Sequence, residues 1–128
     1  MPKGMNYSFT LNSWKKKYTL MLALLFFSSL VSADYVGNTN IKKIRVHDTV
    51  TLVGFDPQPA NTCSNWGEYI KFDHRTETGK AYLSTFLSAK MSGKPVQLWY
   101  IASSAPGTNQ TNGCYDGTTS TLTGVGIP

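Results

Sequence analysis

The stretch Lys80-Ala81-Tyr82-Leu83-Ser84-Thr85-Phe86-Leu87-Ser88-Ala89-Lys90-Met91-Ser92-Gly93-Lys94-Pro95-Val96-Gln97-Leu98-Trp99-Tyr100-Ile101 decides the fold class. Its first half has the period of a helix. Tyr82, Phe86 and Ala89 fall on one stripe, and Leu83, Leu87 and Met91 on the adjacent one. Thr78 is the expected N-cap and Gly93 the expected C-terminal stop. After Pro95 the period changes to two, with Val96, Leu98 and Tyr100 on one face of a strand. One helix therefore feeds directly into the most strand-like run of the chain.

Upstream of the helix, the sequence predicts three strands. Ile41 to His47 alternates Ile44 and Val46 with Lys43 and Arg45, as a half-exposed strand does. Thr49 to Phe55 follows, with Val50 and Leu52 alternating against Thr49, Thr51 and Val53. Asp56-Pro57-Gln58-Pro59 ends it with two residues that lack an amide donor. Trp66 to Phe72 is the third, rich in the aromatic and branched side chains that suit a pleated surface. Downstream of Ile101, Ala102 to Gly117 reads as a long polar loop. Thr118 to Ile127, with Gly124 and Gly126, reads as a bent or bulged closing strand. The order strand, strand, strand, helix, strand, strand is that of an all-β domain with one helix, a five-stranded OB-like barrel.

The N-terminal third has a different character. Residues 1–33 carry Lys3, Lys15, Lys16 and Lys17 and no acid, an apolar run from Tyr18 to Leu30, and the small-residue ending Val31-Ser32-Ala33. This is the layout of a signal peptide cleaved after Ala33. The apolar run is short of the ~20 residues that a spanning helix needs. The expected mature protein is thus a single domain, residues 34–128, secreted or periplasmic, with no stable membrane insertion after cleavage. The formal charge of +5 for the whole chain falls to about +1 once four lysines leave and all seven acids stay, which argues against a nucleic-acid or anionic-membrane partner.

A domain of this size buries only about 60 to 65% of its unfolded surface and gains from a crosslink. Cys63 and Cys114 are the two cysteines of the chain, and in an exported protein such a pair is expected to form a disulfide. Neither shows metal-ligand spacing, and no metal or cofactor is expected.

Catalytic patterns are missing from the sequence. His47 and His74 each adjoin an aspartate, Asp48 and Asp73, but neighbours in a strand point to opposite faces. Glu68 and Glu77 are the two glutamates, and their spacing does not suggest the shared cleft that a carboxylate pair requires. The chain is therefore expected not to be an enzyme. Aromatic residues are the stronger signal. Trp66 and Tyr69 follow the first cysteine, and Trp99 lies in the fourth strand. Such side chains stack on sugar rings while amides and hydroxyls from nearby loops bind the hydroxyl groups; Ser64, Asn65, Asn109 and Asn112 are the candidates. In a small domain the same aromatics also serve as core; that is the expectation for Phe72 and Tyr100, and for Trp66 and Trp99 the core and recognition readings both stay open.

Cys63-x-x-Trp66, the stretch from Lys80 to Trp99 with its Ala89-Lys90-Met91-Ser92-Gly93-Lys94-Pro95-Val96, and Gly113-Cys114 together resemble a widespread group of small exported bacterial proteins. More distantly, the layout is similar to the receptor-binding B subunits of pertussis-like and subtilase-type AB5 toxins. The resemblance covers most of residues 34–128. It implies an OB-like barrel with a disulfide and, for the toxin subunits, a ring-shaped pentamer that binds sialylated glycans. Their sugar-contacting residues do not match position by position, so none is carried over. The expected function is a non-catalytic binding module with a glycan as ligand and a homo-oligomer as a further option. The alternative is an interaction or inhibitor domain acting on an exported or envelope protein.

Overall fold

Strand β1, Asp34–Val46, is long enough to serve two partners, and it organises the domain. Its first half pairs antiparallel with β4, Val96–Ile101, through Asp34 opposite Tyr100 and Tyr35 opposite Trp99. Its second half pairs with β2, Thr51–Asp56, from Asn40 opposite Asp56 to Val46 opposite Thr51. The register shifts between Val36 and Thr39 on one side and between Ile41 and Lys43 on the other, and such irregularities let a strand bend from one partner to the next. These relations come from a computed structural model, which describes residues 33–128. The expected leader lies outside the described residues except for Ala33.

Strand β3, Ile70–Phe72, continues from β2, and β5, Ser120–Gly126, lies parallel to β3 and antiparallel to β4. The spatial order β1-β2-β3-β5-β4 returns to β1, so the five strands close in a ring. The protein is mostly β with one helix, α1, Glu77–Ser92, between β3 and β4. The ring is filled by Val53, Phe55, Ile70, Phe72, Leu98 and Tyr100. Phe86 on α1 plugs it, with its ring 5.8 Å from that of Phe55 and 5.7 Å from that of Phe72. Full burial of such a ring stabilises by about 1.5–3 kcal/mol.

The N-cap of helix α1 lies two residues before the expected one. Thr76, in extended conformation, accepts from the Gly79 amide at 2.9 Å. Gly79 is required there, because a Cβ would lie 1.8 Å from the Asp73 carbonyl oxygen. The end is as expected: Gly93 takes a left-handed conformation and donates to the Lys90 carbonyl. Of the two predicted stripes, the one carrying Phe86 and Ala89 is buried, with Tyr82 at its edge. Leu87 and Met91 face outward, Met91 at 88% exposure. Leu83, the first residue of the second stripe, still packs on the core, but a helix laid across the end of a closed ring buries one narrow face and leaves Leu87 and Met91 outside it.

Three strand expectations change. β1 begins at Asp34 rather than Ile41, since pairing with β4 holds the polar segment 34–40 in place despite its low strand propensity. In β2 the interior residues are Val53 and Phe55 rather than Val50 and Leu52. Leu52 is nevertheless fully buried, so the strand is covered on both faces and periodicity does not distinguish them. β3 is shorter than the run from Trp66 to Phe72, because Trp66 and Gly67 form a turn. The fourth strand is as expected, with Val96, Leu98 and Tyr100 inside. The closing strand is bulged opposite Trp99–Tyr100, and both Phe72 and Tyr100 are core.

Candidate functional site

The outer face of β2 is crossed by a two-residue hairpin. Asn65 and Glu68 exchange backbone hydrogen bonds of 2.9 and 3.0 Å, and the two residues between them, Trp66 and Gly67, have φ of 56° and 82°. Positive φ at both central positions defines the tight hairpin turn normally built from Asn-Gly. Placing an indole at the first of them is unfavourable for an L side chain, costing about 1–2 kcal/mol. Trp66 is 70% exposed, so no burial of the ring offsets that cost.

The hairpin is held from beneath. Gly54 of β2 lies under it, where a Cβ would approach the Gly67 carbonyl oxygen to 2.3 Å. Lys43 of β1 reaches across Gly54 and donates to the Trp66 carbonyl oxygen. Glu68, completely buried, is gripped by Arg45, with Nε 2.7 Å from Oε1 and Nη2 donating to Oε2 at 2.7 Å. The Lys43 ammonium is 3.3 Å from the same Oε1. Two partly exposed cations thus neutralise one sealed carboxylate, the pairing that a buried charge needs.

Laterally, the disulfide fixes the hairpin to the long loop. Cys63 and Cys114 are bonded, with Cα atoms 5.8 Å apart. The segments run side by side: Ser103 N–H donates to the Asn61 carbonyl (2.8 Å), Gly107 N–H to that of Thr62 (3.2 Å), and Ser64 N–H to that of Thr108 (3.0 Å). A short 3-10 helix, Gln110–Asn112, orders the loop further, and Gln110 donates to the Ser64 carbonyl at 2.8 Å.

The structure gathers several of the sequence-predicted residues at this end and gives them distinct tasks. Asn65 is buried and donates to Asp116 Oδ1 at 2.5 Å. Ser64 Oγ accepts from the Gly67 amide at 3.3 Å, and Asn109 Oδ1 caps the 3-10 helix by accepting from Thr111 N–H at 3.1 Å. These polar groups therefore serve to hold the loops. Asn112 is exposed at the end of the 3-10 helix. Tyr69 is half-buried and packs on the interior cluster. Trp99 is set apart on β4, 37% exposed, its ring tilted against that of Tyr35 at a centroid distance of 5.1 Å and lying over Gly124. That is the way an aromatic covers a cross-strand glycine.

Beside the hairpin, Asp116 and Gly117 form one wall of an open groove of about 430 Å³, which Lys71, Phe72, Asp73 and Thr121 also line. Lys71 donates to the Asp116 carbonyl oxygen. Burial lowers its pKa, and the Asp116 carboxylate opposes that change. Tyr115, 62% exposed, packs its ring near Gly117 at the groove's edge. Sequence reasoning missed Tyr115, Lys71 and the Glu68 cluster. The available signal was Asn65-Trp66-Gly67-Glu68, whose glycine marks a turn rather than a strand.

Among the described residues no group of three or more His, Cys, Asp or Glu side chains is placed to hold a metal ion. Glu68 is sealed by its cations, Glu77 faces solvent beside Lys80, and His74 Nδ1 lies 3.0 Å from Thr51 Oγ1. Among the described residues, no helix is long and apolar enough to cross a membrane. No family model, curated protein or solved structure matches the chain.

Proposed function

We propose that this chain is an exported, non-catalytic binding module with OB-like topology, and that it binds a glycan at the disulfide-pinned end that presents Trp66. The observation carrying the proposal is the tip itself: a solvent-facing indole, held in a backbone conformation that disfavours it, on a hairpin fastened by a buried ion pair and a disulfide. Backbone strain of this kind persists where surrounding structure imposes it, and it concentrates at ligand-binding sites. The strand order, the parallel β3–β5 pair and the helix between β3 and β4 support the OB-like assignment. The disulfide supports an oxidising compartment.

A sugar suits the groove because its lining mixes an apolar floor at Phe72 with hydroxyl, carboxylate and ammonium groups, while Tyr115 provides exposed aromatic surface beside Gly117 and exposed Trp66 follows Asn65, which donates to Asp116 of the groove wall. The test is a glycan array with the oxidised protein, followed by tryptophan fluorescence titration of the hits. Selective signal that disappears in Trp66→Ala, with the circular dichroism spectrum unchanged, is the expected result. Light scattering on the same sample reads whether the chain assembles into a ring.

A second reading follows from the convexity of the hairpin tip. A protruding tryptophan fits a pocket on another protein, where this residue type commonly dominates binding energy. Absence of glycan signal together with capture of an exported protein that Trp66→Ala fails to bind would replace the glycan with a protein partner.

A further inference from the structure

Eight lysine and arginine side chains lie among the described residues. Five of them stand beside acids: Lys43 and Arg45 at Glu68, Arg75 at Asp73, Lys80 at Glu77, and Lys71 at Asp116. The other three, Lys42, Lys90 and Lys94, have no ion-pair partner among the described residues, and the fold brings them to one place. Lys90 Nζ donates to the carbonyl oxygens of Lys42 at 3.0 Å and Ile41 at 3.3 Å, at the irregularity where β1 turns toward β2. Lys90 and Lys94 then line a hollow of about 170 Å³ together with Asn40, Ile41, Ala89 and Gly93.

We infer that this hollow is a binding site for a phosphoryl group. A volume well below the roughly 300 Å³ at which drug-sized pockets begin suits one compact anion rather than a larger ligand. Its donors converge from two elements: the third ammonium proton of Lys90, the Lys94 ammonium, and the side-chain amide of Asn40. Lys42, outside the lining but next after Ile41 in β1, adds charge beside the hollow, where its carbonyl accepts from Lys90. The end of α1 carries roughly half a negative charge, which three ammonium groups outweigh. Two of the last four carbonyls of α1 are moreover occupied, those of Ala89 and Lys90 by the Lys94 and Gly93 amides. The acid opposing the site is Asp56, exposed and directly across from Asn40 in the β1–β2 pair. This site is independent of the Trp66 end and of the glycan proposal.

The test is a titration of the oxidised, ¹⁵N-labelled protein with inorganic phosphate at fixed ionic strength. Saturable amide shifts confined to 40–42 and 90–94 are expected. The double variant Lys42→Gln/Lys94→Gln should weaken binding at least tenfold, and Asp56→Asn should tighten it about twofold. Among the described residues neither lysine side chain makes a hydrogen bond, so the double variant should fold. Sedimentation with phosphatidylglycerol vesicles, against phosphatidylcholine vesicles, then identifies the source. Phosphate shifts together with phosphatidylglycerol binding indicate a lipid headgroup, whereas phosphate shifts alone indicate a soluble phosphate ester. Absence of saturable shifts, with or without vesicle binding, overturns the proposal, as does a double variant that titrates like the parent.

Discussion

Arg45 and Glu68 meet at two points, Nε with Oε1 and Nη2 with Oε2, each at 2.7 Å, although 23 residues separate them in the chain. The carboxylate is fully buried and the guanidinium half-buried, so the pair joins the second half of β1 to the base of the Trp66 hairpin. Replacing Glu68 with Gln keeps the volume but leaves two cations facing a neutral amide. Chemical denaturation should show a loss of about 1–3 kcal/mol. A change under half a kilocalorie would mean that the pair holds nothing.

Trp66 and its neighbour Gly67 give a prediction of opposite sign. Asn tolerates the left-handed region far better than Trp, and Asn-Gly is the preferred pair for this turn. Trp66→Asn should therefore stabilise the fold by about 1 kcal/mol, a rise in Tm of about 4–8 °C for a domain of this size. The same substitution should abolish ligand binding. A lower Tm would show that the exposed indole contributes packing its burial does not reveal.

The contrast between these residues shows what was legible in the sequence. The helix from Lys80 and the strand from Val96 were readable because each buries one face and therefore carries a period, as Phe86, Ala89, Leu98 and Tyr100 confirm. The first half of β1 was not readable, since Gly37, Asn38 and Asn40 have low strand propensity and the segment is ordered by the pairing of its neighbours Tyr35, Val36 and Thr39 with β4 and of Asn40 with β2. Leu52 misled because it is buried on the outer face of β2 as well. The candidate site was half-visible. Cysteine counting located its disulfide, and Trp66 marked its exposed tip. The grip of Lys43 and Arg45 on Glu68, and the meeting of Asn65 with Asp116, depend on distant segments that no local pattern links.

Asp73 supplies a pH test. Its carboxylate accepts from the Arg75 side chain at 3.0 and 2.8 Å and from the Arg75 amide at 2.9 Å. The Arg75 side-chain hydrogen bonds, followed by the backbone one, hold its pKa down at about 2, against an ordinary 3.8. A depressed folded value favours the ionised form, so whatever stability the pair contributes is complete above the unfolded value and is lost as pH falls from 3.8 toward 2. Both groups are at the solvent boundary, so the effect on stability is small and the pKa itself is the better observable. Carboxyl ¹³C shifts should titrate near 2 in the parent and higher in Arg75→Gln, though below 3.8 because the residue-75 amide still donates to the carboxylate. Equal midpoints in the two proteins would remove Arg75 as the cause.

Cys63 and Cys114 lie 51 residues apart, and their bond closes a loop spanning β3, α1 and β4. On the chain-entropy model, a loop of this length removes about 4 kcal/mol of unfolded-state freedom. That is a large share of the stability of a domain this small. The local consequence is distinct from the global one. The loop 102–117 borders the hairpin through main-chain hydrogen bonds from Ser103, Gly107 and Ser64, and exposed segments of this kind open readily when a crosslink is removed. Reduction should therefore lower the denaturation midpoint and, before global unfolding, remove hydrogen-exchange protection from the amides of Ser64, Ser103, Gly107 and Cys114. Protection in the strand pairs of β1 with β2 and β4 should survive until the whole domain unfolds. Mass spectrometry supplies the control, since the oxidised chain is about 2 Da lighter than the reduced one through loss of the two thiol hydrogens that sulfur–sulfur bond formation releases. Uniform loss of protection across the strands and the loop would show that the disulfide stabilises the domain as a whole without ordering the site. Preferential loss at the loop would make it the element that keeps the Trp66 hairpin and the Asp116 wall in register.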